Sequence, residues 1–128
     1  MRCLYADIDT FPNNMESNRV LILSHNSISL KDNMLKSYLY LLILDLSYNG
    51  ISTIAPYSFR FGTFVKSLDL RWNSLAEIRG KVFQDMISLQ ILLLQGNYLR
   101  AIDPNAFLGL RQVSELVLNN QSLISLIP

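Results

Sequence analysis

At 128 residues, half of them hydrophobic and 16% charged, the chain holds one domain's worth of material and enough apolar surface to exclude disorder. A net charge of +1 and a pI near 7.9 give no electrostatic footprint for nucleic acid. The longest apolar run, Tyr38–Leu44, falls far short of the roughly 20 residues a spanning helix needs, so no membrane span lies within this chain.

In chain order, residues 1–17 come first and stand outside the pattern that follows. Ile8 and Phe11 are apolar, Pro12 with Asn13 and Asn14 marks a turn, and the stretch reads as a partial N-terminal cap. The run Val20–Leu23 after it reads as a strand. MRCLYADIDT contains no apolar segment of signal-peptide length, and Cys3, the single cysteine, has no intrachain partner. Taken literally, these features describe a cytosolic protein.

From residue 18 onward the chain repeats itself. Leu44, Leu46, Asn49, Ile51, Ile54 and Phe59 return 24 residues later as Leu68, Leu70, Asn73, Leu75, Ile78 and Phe83. After another 24 they return as Leu92, Leu94, Asn97, Leu99, Ile102 and Phe107. Three regular repeats are thus assigned to residues 41–64, 65–88 and 89–112. The first repeat, residues 18–40, places Leu21, Leu23, Asn26 and Ile28 in the same slots but is one residue shorter. Lys31 then falls where isoleucine is found later and no phenylalanine follows, so its outer half is expected to pack through Leu30, Met34 and Leu35. Residues 113–128 form an incomplete repeat with Gln121 in the asparagine slot. Pro56, Gly80, Pro104 and Pro128 share one position, so the chain ends in mid-repeat, as a fragment would.

The alternation x-Leu-x-Leu-x is that of a strand with two leucines inward and the residues between them outward. Units side by side place these strands in a parallel sheet, roughly 4.8 Å apart. Each asparagine follows its strand where the chain turns inward, and its side chain can donate and accept hydrogen bonds that would otherwise be lost in the interior. One unit cannot bury its own apolar face, so stability comes from neighbours. All the consensus leucines, isoleucines, asparagines and phenylalanines are therefore core, not functional sites.

The pattern Leu-x-x-Leu-x-Leu-x-x-Asn-x-Leu/Ile-x-x-Ile-x-x-x-x-Phe resembles the leucine-rich repeat, in its 24-residue extracellular class. That resemblance implies an α/β-horseshoe solenoid with a parallel β-sheet on the concave face and mostly irregular or short helical turns on the convex face. Cys3, Asp7, Ile8, Phe11, Pro12 and Met15 resemble the end of the cysteine-rich cap of such proteins, which implies a disulfide from Cys3 to a cysteine upstream of this chain. The stretch from Leu44 to Phe59 is similar to Toll-like receptor ectodomains. The resemblance implies a non-enzymatic recognition module from an extracellular, innate-immune type of receptor, secreted or on the outer side of a membrane. Its partner would be a protein or microbial ligand, with a possible receptor dimer partner. A structural or cell-adhesion repeat protein and a short cytosolic scaffold are the alternatives.

Function is then expected on the outward residues of the sheet. By register, Asp45 and Asp69 neighbour one another, Leu93 follows them, Arg71 and Gln95 share the next column, and Tyr48 and Trp72 share the one after. Aromatic residues with arginine are what interfaces use as hot spots, so Asp45, Tyr48, Asp69, Arg71, Trp72, Leu93 and Gln95 form the candidate partner-binding set. Arg71 and Lys66 are placed to neutralise the two aspartates, and no further oxygen ligands converge on them, which speaks against a metal. His25 is the single histidine and reads as an exposed strand-end residue. No nucleophile elbow, phosphate loop or nucleotide fingerprint occurs, so neither catalytic residues nor a cofactor are expected. Asn120, in Asn120-Gln121-Ser122, is a glycosylation acceptor if the chain is secreted. The segment Glu115–Leu118 is expected to leave an uncovered sheet edge that makes the isolated chain marginal and prone to aggregation.

Overall fold

The computed structural model describes residues 1–4, 10–11 and 19–119. The alternation of leucines produces five short strands: β1 (Val20–Ile22), β2 (Ile43–Asp45), β3 (Ser67–Asp69), β5 (Ile91–Leu93) and β7 (Glu115–Val117). They form one parallel sheet in the order β1-β2-β3-β5-β7, and every pairing keeps the sequence register, with Leu21 beside Leu44, Leu68, Leu92 and Leu116. The chain is a solenoid of about five turns, and its described part contains no helix.

Two more strands, β4 (Glu77–Ile78) and β6 (Ala101–Ile102), pair in parallel on the return side of adjacent turns. The resemblance implied mostly irregular chain or short helical turns outside the main sheet, and this strand pair is an addition to that. Ile78 and Ile102 are both buried there at one repeat's separation and their backbones pair, whereas Ile54, buried in the same slot one turn earlier, forms no strand. The rest of the return path is a series of tight turns, such as Ser58 N–H to Ala55 C=O and Gly62 N–H to Phe59 C=O, both 3.0 Å.

The core lies between sheet and return path as columns of like residues. Leu21, Leu44, Leu68 and Leu92 are fully buried, as are Leu23, Leu46, Leu70 and Leu94 in the next column. Phe59, Phe83 and Phe107 stack nearly parallel at centroid distances of 5.7 and 6.3 Å. Leu116 keeps its place in the column but is 41% exposed.

The short first repeat resolves differently from its linear alignment. Leu21 to Ile28 sit 23 residues before their counterparts, but Leu30, Leu35 and Leu41 sit 24 before Ile54, Phe59 and Val65, and all of these are buried. The Asn33 N–H to Tyr57 C=O bond (3.0 Å) repeats as Lys81 N–H to Asn105 C=O (2.9 Å), each spanning one full repeat. The missing residue is thus lost between Ile28 and Leu30. Leu30 takes the isoleucine slot that the alignment gave to exposed Lys31, and Leu35 takes the phenylalanine slot. Tyr38 then stands in the column of Gly62, where a bulky residue would press on Leu35 and the Phe59 carbonyl. Large and small residues in successive turns keep this column filled. Burial, with Cys3 nearby, pushes the Tyr38 hydroxyl above its ordinary pKa.

The asparagines tie each turn to the next. Asn73 Nδ2 donates to the carbonyls of Leu46 and Leu70 (3.0 and 3.1 Å), while its Oδ1 accepts from the N–H groups of Asn49 and Ile51 (2.9 and 3.0 Å). Asn49 bonds Leu23 and Leu46 C=O and accepts from Ile28 N–H, and Asn97 bonds Leu70 and Leu94 C=O and accepts from Leu75 N–H. At the other end Asn26 donates to Cys3 C=O. Residues 1–4 lie along β1, with Cys3 N–H to Ile22 C=O at 2.8 Å and Ile22 N–H to Met1 C=O at 2.9 Å. No buried side-chain polar atom among the described residues lacks a partner.

Removing one of these amides strands several backbone groups at once. Each buried group left without a partner costs about 1–3 kcal/mol. Asn73→Ala is therefore expected to lower unfolding stability by about 3 kcal/mol in urea titration, and Asn26→Ala, half-buried at the end of the column, by about 1 kcal/mol.

Candidate partner-binding face

The open face of the sheet is built from the residues between the core leucines, and the paired strands fix their neighbours. Asp45 lies beside Asp69, and Asp69 beside Leu93. The face is more closed than alternation alone implies. Ser24, Ser47 and Asp69 are buried there, because short side chains at the end of each strand are covered by the turns that follow.

The two aspartates anchor those turns. Asp45 Oδ1 accepts from the Ser47 N–H (2.9 Å) and the Ser47 hydroxyl (2.7 Å). Asp69 Oδ1 accepts from the Arg71 N–H (3.0 Å), and both its oxygens accept from the Arg71 guanidinium in a bidentate pair, the shorter contact being 2.7 Å. Arg71 lies in the turn just after β3, where the Asp69 carboxylate takes both its backbone N–H and its guanidinium fork. The hydrogen bond to Asp69 raises the Arg71 pKa above its ordinary value, against a smaller loss from burial, with Asp45 and Tyr48 adding to the rise. Arg71 is thus a fixed positive charge in the centre of the face. Lys66, expected to share in neutralising the aspartates, makes no ion pair among the described residues; Arg71 alone does so, with Asp69. No group of three or more potential metal ligands occurs among the described residues.

Beside Arg71 runs an aromatic ladder: the repeat register puts His25, Tyr48, Trp72 and Gly96 in one column, and the structure stacks its rings. His25 stacks on Tyr48 with ring centroids 4.4 Å apart and planes within 10°. Tyr48 stacks in turn on Trp72 at 6.2 Å and 20°. Expected to be simply exposed, His25 is half-buried in this stack. All three residues have positive φ, at 58°, 55° and 57°, and so does Gly96 in the same column, at 78°. A left-handed backbone costs a residue with a Cβ roughly 1–2 kcal/mol. The stacking of rings over adjacent turns offsets part of that cost. Gly96 is required here for a second reason: a Cβ at that position would lie 2.2 Å from the Trp72 ring. The glycine in this column is the clearest sign in the sequence that the slot needs a left-handed backbone.

Tyr48 and Trp72 nevertheless remain 45% and 40% exposed. Of the expected set, Asp45, Arg71, Leu93 and Gln95 are half-buried, and Gln95 meets Trp72 through a backbone bond of 2.9 Å from Trp72 N–H to Gln95 C=O. Asp69 is buried and fully engaged by Arg71, so it positions the arginine and offers no free carboxylate. Cys3 is half-buried against the core at the opposite end of the sheet. Asn120 lies outside the described residues.

Comparison with known proteins agrees with this architecture. Family models described as leucine-rich repeat match residues 40–61 and 63–123, together more than half of the chain. The chain is similar to leucine-rich repeat-containing G-protein coupled receptor 5 of Rattus norvegicus, 36% identical over 65% of this chain and 9% of that protein. It is also similar to human leucine-rich repeats and immunoglobulin-like domains protein 1, 33% identical over 80% of this chain and 10% of that one. Tsukushi of Rattus norvegicus is 36% identical over 66% of the chain and 24% of its own length. The stretch thus spans about a tenth to a quarter of these relatives. Among solved structures, a chain from a crystal structure of a TLR13–ssRNA13 complex superposes with a TM-score of 0.56 and 25% identity, over 83% of this chain and 18% of that one.

The ladder gives a direct test. Gly96→Ala is expected to displace the Trp72 ring and cost about 1–2 kcal/mol of stability from the φ penalty alone. Trp72 is the single tryptophan, so its fluorescence reports the change, as a shift of the emission maximum to longer wavelength.

Proposed function

Since this chain is a member of the leucine-rich repeat family, and hence a protein-interaction module, we propose that it is part of the ligand-recognising ectodomain of an extracellular receptor. It acts by binding and not by catalysis. A protein or a microbial ligand docks on the concave face, and the ladder's exposed rings with Arg71 form the centre of the contact. The observation that carries this reading is the combination of exposure and rigidity in Tyr48, Trp72 and Arg71. Each is held in one conformation by stacking or by a bidentate carboxylate, so little side-chain entropy is lost on association. Large aromatics and arginine dominate interface energetics in such settings.

The extracellular placement is supported by the likeness to receptor-type repeat proteins and by the 24-residue unit. In that compartment Cys3 forms a disulfide with a cysteine from upstream, and Asn120 carries a glycan. A Toll-like type is the finer reading we adopt, resting on the resemblance of the run from Leu44 to Phe59, with a structural or cell-adhesion repeat protein as the alternative.

A screen of the chain, displayed as a multivalent fusion, against a panel of receptor ectodomains and microbial surface fractions tests this. A captured ligand is expected to bind Trp72→Ala and Arg71→Ala about 10- to 100-fold more weakly, as hot-spot truncations do. Ligands that bind both variants as well as the parent chain would move the contact off the concave face.

A further inference from the structure

At the other end of the strands, where the return path runs back into the sheet, the surface has a different chemistry. Tyr40 and Phe64, one repeat apart, stack on each other at 6.3 Å and are both at least half exposed. Ile87, in a neighbouring register position one turn further on, is also exposed. The chain segments that hold these side chains also carry cations. Lys36 and Arg60 are separated by one repeat, and Lys66 is placed by backbone bonds from its N–H to Leu42 C=O (2.7 Å) and from Gln90 N–H to its own C=O (2.8 Å). All three cations are exposed.

Charge is separated across the molecule. In the three segments 36–42, 60–66 and 84–90 the only carboxylate is Asp85, whereas the concave face carries Asp45, Asp69 and Glu115 against Arg71. These segments thus form an apolar edge with an excess of cations, with Asp32, whose Oδ1 accepts from the Tyr57 N–H, at its margin. None of these three cations takes part in an ion pair among the described residues, where the pairs are Arg71–Asp69 and Arg79–Glu77.

We propose that this edge is a second docking surface, and that its occupant is an acidic segment of a partner protein bearing apolar side chains. Complementary charge selects the segment and steers its approach. The apolar groups of the edge then give its bulky side chains somewhere to pack. The charge argues for a peptide over a nucleic acid: three cations on a chain of net charge +1 give no electrostatic footprint for a phosphate backbone. Tyr40 and Phe64 each turn one ring face to the other, and the Arg60 guanidinium lies over Tyr57 and Phe61 at 5.6 and 5.7 Å. The exposed parts of Tyr40, Phe64 and Ile87 suit apolar side chains such as leucine or phenylalanine.

Selection of a displayed random-peptide library on the intact chain tests the proposal. Recovered peptides are expected to combine Asp or Glu with apolar residues. They should bind the double variant Arg60→Glu/Lys66→Glu at least tenfold more weakly and Phe64→Ser several-fold more weakly, while Trp72→Ala binds them unchanged. Binding should also fall steeply between 50 and about 300 mM salt, as screening requires. Circular dichroism confirms that each variant remains folded, since all the altered side chains are exposed. Neutral or basic peptides, or acidic ones indifferent to the charge reversal, would overturn the proposal. So would equal or stronger charge-dependent binding of the same edge to phosphatidylserine–phosphatidylcholine vesicles or to a polyuridine oligonucleotide.

Discussion

A column of carboxamides, each bonded to two turns of the chain, is the feature on which the rest of the solenoid depends. At the end of every strand the backbone turns into the interior, where unpaired N–H and C=O groups are costly. Asn49, Asn73 and Asn97 meet those groups from within. Because each side chain donates to a carbonyl of the preceding turn, it also sets the distance between turns, and the sheet register follows. The leucine columns supply the apolar driving force, but they are non-directional and would tolerate sliding. The asparagines convert that burial into one fixed translation per repeat.

The same translation brings functional side chains together. His25, Tyr48 and Trp72 are distant in sequence and adjacent in space, and each directly precedes an asparagine of the column, Asn26, Asn49 and Asn73. Their left-handed backbones are imposed by the turn between strand and asparagine. The protein places bulky rings in a conformation that glycine adopts freely, and gains a rigid exposed edge from it. Asp69 plays a comparable part for Arg71, holding the guanidinium as a fork at the centre of the face. Rigidity, more than exposure, distinguishes these residues from an ordinary solvated sheet.

Much of this was legible in the sequence for a physical reason: a repeat declares its neighbours. The register that pairs Leu44 with Leu68 in the structure is the 24-residue shift itself, and the buried columns are those of the consensus. Legibility failed where the shift changed. The lost residue between Ile28 and Leu30 sits in a return segment with no alternation to mark it, so alignment from the asparagine placed Lys31 in a core slot that Leu30 occupies. The β4–β6 pair was missed because two-residue strands carry no period. For the candidate face, the column membership of Tyr48, Trp72 and Arg71 could be derived, but not the burial of Asp69 or the stacking of His25. Both depend on turn geometry, of which Gly96 marks only the ladder slot.

Native-state amide hydrogen exchange is the most direct measurement of the central claim. The amides of Ile28, Asn49, Ile51 and Leu75 lie outside the strands, and each donates to an asparagine oxygen. If the carboxamide column holds the turns together, these amides are protected to the same degree as the amides of β2 and β3, and are released with them in one cooperative opening. Exchange at loop-like rates while the strands stay protected would contradict the account, leaving leucine packing to hold the turns by itself.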